Sequence, residues 1–401
     1  MRRLLTAVLL LTLIVPCLRA QKKELSQART YIKSGKDYDK AEQLLAPLLA
    51  DTAGTLALDV RQVYAEAILK QYETVNCKVY VGEQYDTVSL FNLTRRLFLA
   101  YEALDSIDAM PDERGRVRPK LRKKNAAFLL PLRTNLFSGG AHLLRSRQPA
   151  EAYRFFDTYI DCRRQPLFSD VIGTPTAADS EAAFWALFCG YQLRDTAKVF
   201  SHADAALTDS THLDRTYRYL AETYRQCNDT ARYVETLRQG FNTYINKVYF
   251  STRLIDYYND WGDTAEAMTI VDRALAAAAD DTAHVTLLLL AKSSLLLNTG
   301  RYDECAAVCD TLIALCDTLS DAYYNAGVAY VNKAFSIERY DKTSAEAINR
   351  ARDCYRKAQP YMERYRALRP DDKDKWAAAL YNIYLRLNLG RQFEEIDKLL
   401  R

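Results

Sequence analysis

Apolar residues recur at helical spacing over most of this chain. Leu254 and Tyr258 lie four positions apart, as do Ala267 and Val271, and Gly262 stands between the two runs. Residues four positions apart share one face of an α-helix, and glycine commonly ends one. The pattern therefore predicts two short amphipathic helices joined by a turn. Because similar runs follow one another along the sequence, we predict an all-α protein.

The helical pattern has a period of 34 residues. The triplet Asp-Thr-Ala occurs at 195–197, 229–231 and 263–265, at intervals of 34. Each copy follows one helical run and precedes another, where an Asp carboxylate accepts hydrogen bonds from the first N–H groups of the new helix. Two short helices cannot bury an apolar face alone, but stacked copies of them can. The period predicts a solenoid of antiparallel helix pairs.

Several segments resemble the tetratricopeptide repeat (TPR) family in their order of large and small residues. The matching residues are Tyr217, Leu220, Ala221, Tyr224 and Leu237 in 214–247, Leu254, Tyr258, Gly262, Ala267, Val271 and Ala274 in 248–281, and Leu289, Leu296, Gly300, Tyr302, Cys305 and Cys309 in 286–319. Residues 322–330 resemble the family's first helix, and an insert near 333–342 displaces the second. About nine such units cover most of the chain after residue 20. The resemblance implies a right-handed superhelical solenoid with a concave groove.

Two connections interrupt the repeat. Residues 166–177 carry Pro166, Gly173 and Pro175, so we expect them to link an N-terminal block, 21–165, to a C-terminal block, 178–401. Residues 109–124 form a basic insert in the first block, with the side chains Arg114, Arg116, Arg118, Lys120, Arg122, Lys123 and Lys124. Two interpretations of this insert remain open. It contacts an anionic surface or an acidic protein, or it is a solvated linker.

Residues 1–20 have the pattern of a secretory signal peptide. Arg2 and Arg3 precede the apolar run Leu4–Val15, and Ala20 supplies a small residue before the expected cleavage point. The run is too short to span a bilayer comfortably. We expect export to the periplasm or the outer-membrane periphery of a bacterium. A lipoprotein signal acylated at Cys17 is the alternative, although the residue before this cysteine is a proline.

Composition adds little about the partner. Hydrophobic residues make up 49% and charged residues 26% of the 401, which excludes wholesale disorder. Without residues 1–20 the chain has 52 basic and 51 acidic residues, so bulk charge favours no class of partner. We expect no nucleic-acid partner.

The sequence offers no recognisable catalytic or metal motif. Its four histidines are scattered without an HExxH pattern, and no GxSxG elbow occurs. Gly139 and Gly140 lack the Lys-Ser/Thr of a phosphate-binding loop, so we expect them to allow close helix packing instead. Cys305 and Cys309 lie on one helical face, which suits a metal or redox pair or, as we favour, a buried seam. We predict a protein without enzymatic activity, cofactor or metal.

The resemblance places candidate binding residues in the concave groove, on the first helix of each unit. These are Arg215, Arg218, Glu222, Arg225, Tyr249, Asp256, Asn259, Tyr324 and Asn325. A lining that mixes Arg, Tyr and Asp suits an extended peptide or a protein loop. The implied function is a non-catalytic protein–protein interaction scaffold of the cell envelope. The alternative is an envelope protein that binds a glycan or a peptidoglycan fragment.

Overall fold

The computed structural model describes residues 21–50, 56–278 and 281–400. Within these ranges every regular element is an α-helix or a short 3-10 helix, which confirms the predicted all-α class. The expected signal peptide, residues 1–20, lies outside the described residues. None of the described helices combines the length and the apolar character that a bilayer span requires.

The chain divides into two compact units, one ending at Cys227 and one beginning at Asn228. The helices of the first unit are α1 (21–34), α2 (Tyr38–Leu45), α3 (Ala57–Val81), α4 (Thr87–Asp108), α5 (Arg122–Leu129), α6 (Arg133–Arg145), α7 (Pro149–Asp161), α8 (Ala177–Gln192), α9 (Thr196–Phe200), α10 (Ala203–Ala206) and α11 (Leu213–Gln226). Three 3-10 helices accompany them, at Ala46–Ala50, Leu130–Leu132 and Pro166–Phe168.

The second unit contains the remaining helices, and each of them packs against the next along the chain. They are α12 (Thr230–Thr243), α13 (Val248–Asp260), α14 (Thr264–Ala277), α15 (Thr282–Asn298), α16 (Tyr302–Leu315), α17 (Ser320–Tyr340), α18 (Ala345–Leu368), α19 (Lys373–Leu387) and α20 (Gly390–Leu400). The insert near 333–342 lengthens α17 and shifts the start of α18 along the chain. With 21 and 24 residues, both helices are longer than their neighbours.

The division at 227/228 differs from the one we expected at 166–177. Leu167 and Phe168 are buried in the apolar core of the first unit, so this segment packs there instead of linking two bodies. The actual division falls inside the predicted repeat 214–247, after α11 and before α12. The linker was expected from Pro166, Gly173 and Pro175, and such residues mark an irregular segment whether or not it separates two compact units.

The periodic Asp-Thr-Ala triplets cap helices as predicted. Asp195 accepts a hydrogen bond from the N–H of Lys198 at 3.1 Å, which begins α9. Asp229 and Asp263 make the equivalent bonds, also at 3.1 Å, at the starts of α12 and α14. Each carboxylate satisfies an N–H group that has no partner within its helix.

The predicted seam residues are buried. Leu254, Ala267 and Val271 have no exposed surface. Cys305 and Cys309 are equally buried, within an apolar cluster formed by α15, α16 and α17, which confirms their seam role. All eight cysteines of the described ranges are free thiols in the structure.

Glycine permits the closest helix contacts. A Cβ at Gly139 or Gly140 would lie 2.8 Å from ring atoms of Phe155 or Phe156, so these glycines allow α6 to approach α7 as expected. Gly190 leaves even less room for a side chain. A Cβ there would lie 2.7 Å from the backbone nitrogen of Val199, and backbone atoms cannot rotate away.

We therefore predict that Gly190→Ala destabilises the first unit. Overpacking a well-filled contact costs about 1–3 kcal/mol, more than the helix propensity that alanine adds. Thermal unfolding followed by circular dichroism measures the change. Gly173→Ala is the control, because nothing lies within 4 Å of its added Cβ. Equal melting temperatures for the two variants would contradict the packing argument.

Candidate functional site

The candidate groove residues of the first unit lie on the polar face of α11. Arg215 and Arg218 are exposed, whereas Thr216 on the other side of the helix is fully buried. Arg225 donates two hydrogen bonds to one oxygen of Glu222, at 2.8 and 2.9 Å. This face therefore presents two outward arginines beside a preformed ion pair.

The polar face of α13 holds the next candidates. Asp256 and Asn259 are exposed, whereas Leu254, on another side of the helix, is completely buried. Tyr249 is half-buried, with its ring edge-to-face on Phe250 at a centroid distance of 5.3 Å. The face combines an anchored aromatic ring with a carboxylate and an amide, which together offer contact area and hydrogen bonds to a chain.

On α17 one of the two candidates is wrongly assigned. Asn325 is only 7% exposed, and its side-chain nitrogen donates to the hydroxyl of Ser293 on α15 at 2.9 Å. This hydrogen bond joins α15 and α17, so Asn325 is not a groove residue. Tyr324 is half-buried, with its ring 5.2 Å from that of Tyr365.

The basic insert is a loop held closed at its base. Asp108, at the end of α4, accepts a hydrogen bond from the N–H of Leu121 at 2.7 Å. Arg122 donates to both oxygens of Asp105, at 2.9 and 2.8 Å, and Asp105 is 3% exposed. Arg122 is therefore a half-buried structural partner and not a free surface cation, which corrects its assignment to a free basic patch.

The other basic residues of the insert differ in their contacts. Arg116 donates to Asp112 at 2.9 Å, and this bond holds the pKa of Asp112 below its usual value. Lys123 and Lys124 lie in the first turn of α5, not in the loop. Five basic side chains of the insert are exposed and make no ion pair with any described residue: Arg114, Arg118, Lys120, Lys123 and Lys124.

The closed base generates a prediction for limited trypsin digestion. The first cuts should follow Arg114, Arg116 and Lys120, which are exposed in the loop. In Asp105→Asn, Arg122 loses its buried partner, which costs about 3–5 kcal/mol, so cutting should extend to residues 122–124. Fragment masses and melting temperatures measure both effects. Asp112→Asn is the control, since its ion pair with Arg116 is exposed and screened by solvent. Equal destabilisation by the two substitutions would refute the structural role of Arg122.

The histidines make pairwise contacts within the helical packing. His202 lies 2.7 Å from a carboxylate oxygen of Asp157, and His212 is the same distance from Asp209. The side chains of Ser251 and His284 are 3.3 Å apart but buried, and Nδ1 of His284 has no partner among the described residues. A catalytic triad needs an acid at that nitrogen. No group of three or more His, Cys, Asp or Glu in the described ranges is placed to hold a metal ion.

One buried carboxyl group in the first unit has an unusual protonation state. Burial raises the pKa of Glu102 to about 8, and the charge of Asp161 adds to the shift while Arg95 opposes it. Cys162 lies 4.0 Å from this carboxyl group, and burial also raises the pKa of its thiol. A protonated, buried thiol is a poor nucleophile, so the pair has a structural character.

The pKa of Glu102 predicts a pH-dependent stability. The folded state holds this proton up to about pH 8, whereas the unfolded group releases it near its ordinary value of 4.5. The free energy of unfolding should therefore fall as the pH rises through this window, by about 1–3 kcal/mol. Chemical denaturation at pH 5 and pH 8 measures the fall, which Glu102→Gln should abolish and the exposed-site control Glu151→Gln should retain. An unchanged fall in Glu102→Gln would exclude this assignment.

The sequence did not predict a cavity that lies in the second unit, near the end of α17 and the start of α18. Its walls include Lys342, Arg352 and Tyr355. The one signal that pointed to it was the insert near 333–342, which breaks the repeat at this position. No motif marks the site, because its side chains come from three helices that are brought together only by folding.

Comparisons with known proteins give similarities of low degree. No protein-family model and no curated protein matches the chain. Among solved structures it is similar to PilW, a type IV pilus biogenesis factor, with 15% identity and a TM-score of 0.33, over 55% of this chain and 91% of that one. A tetratricopeptide repeat protein from Parabacteroides merdae has 10% identity and a TM-score of 0.26, over 78% and 99% of the two chains.

The human IFIT1 dimer, solved with m7Gppp-AAAA, has 15% identity and a TM-score of 0.36, over 83% of this chain and 72% of that one. TM-scores at this level do not show that two chains share an overall arrangement. The assignment of an all-α helical repeat therefore rests on this chain's own helices, caps and seams.

Proposed function

We propose that this chain is a non-catalytic protein-interaction scaffold of the bacterial cell envelope. Its partner is a peptide or protein segment that binds the polar face of α13. The observation that carries the proposal is the composition of the α13 face, where exposed Asp256 and Asn259 accompany the anchored ring of Tyr249. Aromatic anchors surrounded by charged and amide groups are typical of protein interfaces.

The envelope location is supported by the signal-peptide pattern of residues 1–20. On that basis the chain acts in the periplasm or at the outer-membrane periphery. The exposed cations of the basic insert support a second, electrostatic contact with an anionic surface, and such a contact weakens as salt rises.

A glycan or peptidoglycan fragment is the second candidate ligand. Trp261 at the end of α13 is 71% exposed, and its ring lies 5.9 Å from that of Tyr257. An exposed aromatic pair offers a flat apolar surface of the kind that sugars contact. Tyr257 also contacts the ring of Tyr258, at 5.2 Å between centroids, but Tyr258 is buried, whereas the polar face of α13 extends over more than two turns.

Crosslinking in living cells tests the protein-binding proposal. A tagged full-length chain should capture a defined envelope protein, identified by mass spectrometry. The variant Asp256→Lys reverses the charge of an exposed side chain on the α13 face and replaces no buried residue. Capture should fall about tenfold or more, as expected for the loss of charged contacts at an interface.

The matched control is Glu235→Lys, which reverses an exposed charge on α12. It should leave capture unchanged. Equal capture by the wild type and Asp256→Lys would overturn the assignment of this face. Loss of capture only when Arg114, Arg118 and Lys120 are neutralised would transfer the interaction to the basic insert.

A further inference from the structure

The long helices α17 and α18 form a cavity together with α19. It has a volume of about 440 Å³ and is lined by residues of all three helices and of the turn between α17 and α18. Cavities of this size commonly hold small organic ligands. The cavity lies apart from the residues on which the proposed partner binding depends, so a ligand could bind there independently of the partner.

Tyr355 supplies a buried polar group to the wall of this cavity. The residue is 1% exposed, and its hydroxyl lies beside Glu338 and Arg386, with which it interacts. The ring is fixed by an edge-to-face contact with Phe335, at 6.1 Å between centroids. Burial raises the pKa of Tyr355 to about 12, so the hydroxyl remains protonated at neutral pH. Tyr355 therefore supports the inner wall of the cavity.

The acidic residues of the cavity are already engaged. Glu338 accepts a hydrogen bond from Arg386 at 3.1 Å, across α17 and α19. Asp341 accepts from the N–H groups of Thr343 and Ser344, at 2.9 and 3.1 Å, which shapes the turn before α18. Neither carboxylate is therefore available to neutralise another cation.

Two cations of the lining remain available. Lys342 and Arg352 make no ion pair within the described part of the chain. The five charged side chains of the lining, three basic and two acidic, leave one net positive charge. One anionic group on a ligand would balance that charge, and the guanidinium of Arg352 suits the two oxygens of a carboxylate.

The rim of the cavity is apolar. Ile348 on α18 is 45% exposed and Leu385 on α19 is 48% exposed, so both present aliphatic surface to solvent. Covering this surface would add favourable burial of about 25 cal/mol per Å². A ligand that fits the site therefore carries an apolar body beside its charge.

We propose that this cavity binds a small organic monocarboxylate with an apolar body. Lys342 and Arg352 hold the carboxylate, and Ile348 and Leu385 contact the apolar body. The function is additional to protein binding and does not depend on the face of α13.

Titration of the purified full chain with octanoate tests this site, with isothermal calorimetry as the measurement. Octan-1-ol is the matched uncharged probe and should bind at least about tenfold more weakly, because it lacks the group that Lys342 and Arg352 recognise. The double variant Lys342→Gln with Arg352→Gln should also lose about tenfold or more in octanoate affinity. Arg364→Gln, an exposed arginine on α18 outside the cavity, should bind like the wild type.

Absence of octanoate binding would overturn the proposal. Equal binding of octanoate and octan-1-ol would reduce the site to an apolar patch, and equal losses in the cavity variant and in Arg364→Gln would show non-specific charge binding; either result also overturns it.

Discussion

Each helix of this protein has an apolar stripe that it can bury only against neighbouring helices. The other features follow from that constraint. Close contact requires small side chains at the seams, as at Gly190, which lies against backbone atoms of α9. Ala267 and Cys305 fill other seams without exposed surface. Because one side of each helix is used in this way, its polar side faces solvent and is available for binding.

Buried charges provide a second kind of contact between helices. Arg133 donates to Asp179 and to the backbone oxygen of Tyr159, and its guanidinium lies 3.8 Å from the centroid of the Tyr159 ring. Asp179 also bonds to Thr176 in a capping box at the start of α8. Burial tends to raise the pKa of Asp179, yet these hydrogen bonds lower it overall. Such links are costly to break, since removal of one partner leaves a buried charge unpaired.

The parts of this structure that depend on local sequence were predictable. The caps at Asp229 and Asp263 need only the next helical turn, so the period of 34 residues located them correctly. The errors concern contacts between distant residues. Asn325 has the same place in its helix as a groove residue, but Ser293, 32 positions earlier, takes its amide. Arg122 likewise bonds to Asp105, 17 positions earlier. Neither partner is marked by a motif or by periodicity.

A regular helical repeat leaves little room for a ligand cavity, because every seam is filled in the same way. Cavities are therefore expected where the repeat is broken. The insert near 333–342 is such a break: α17 and α18 run beyond the length of their neighbours, and their extra turns pack against each other, as Phe335 and Tyr355 do. Tyr340, the last residue of α17, is 96% exposed, while Tyr355 further along the chain remains buried. The irregularity that weakens the repeat is thus what brings charged, aromatic and aliphatic side chains around one cavity.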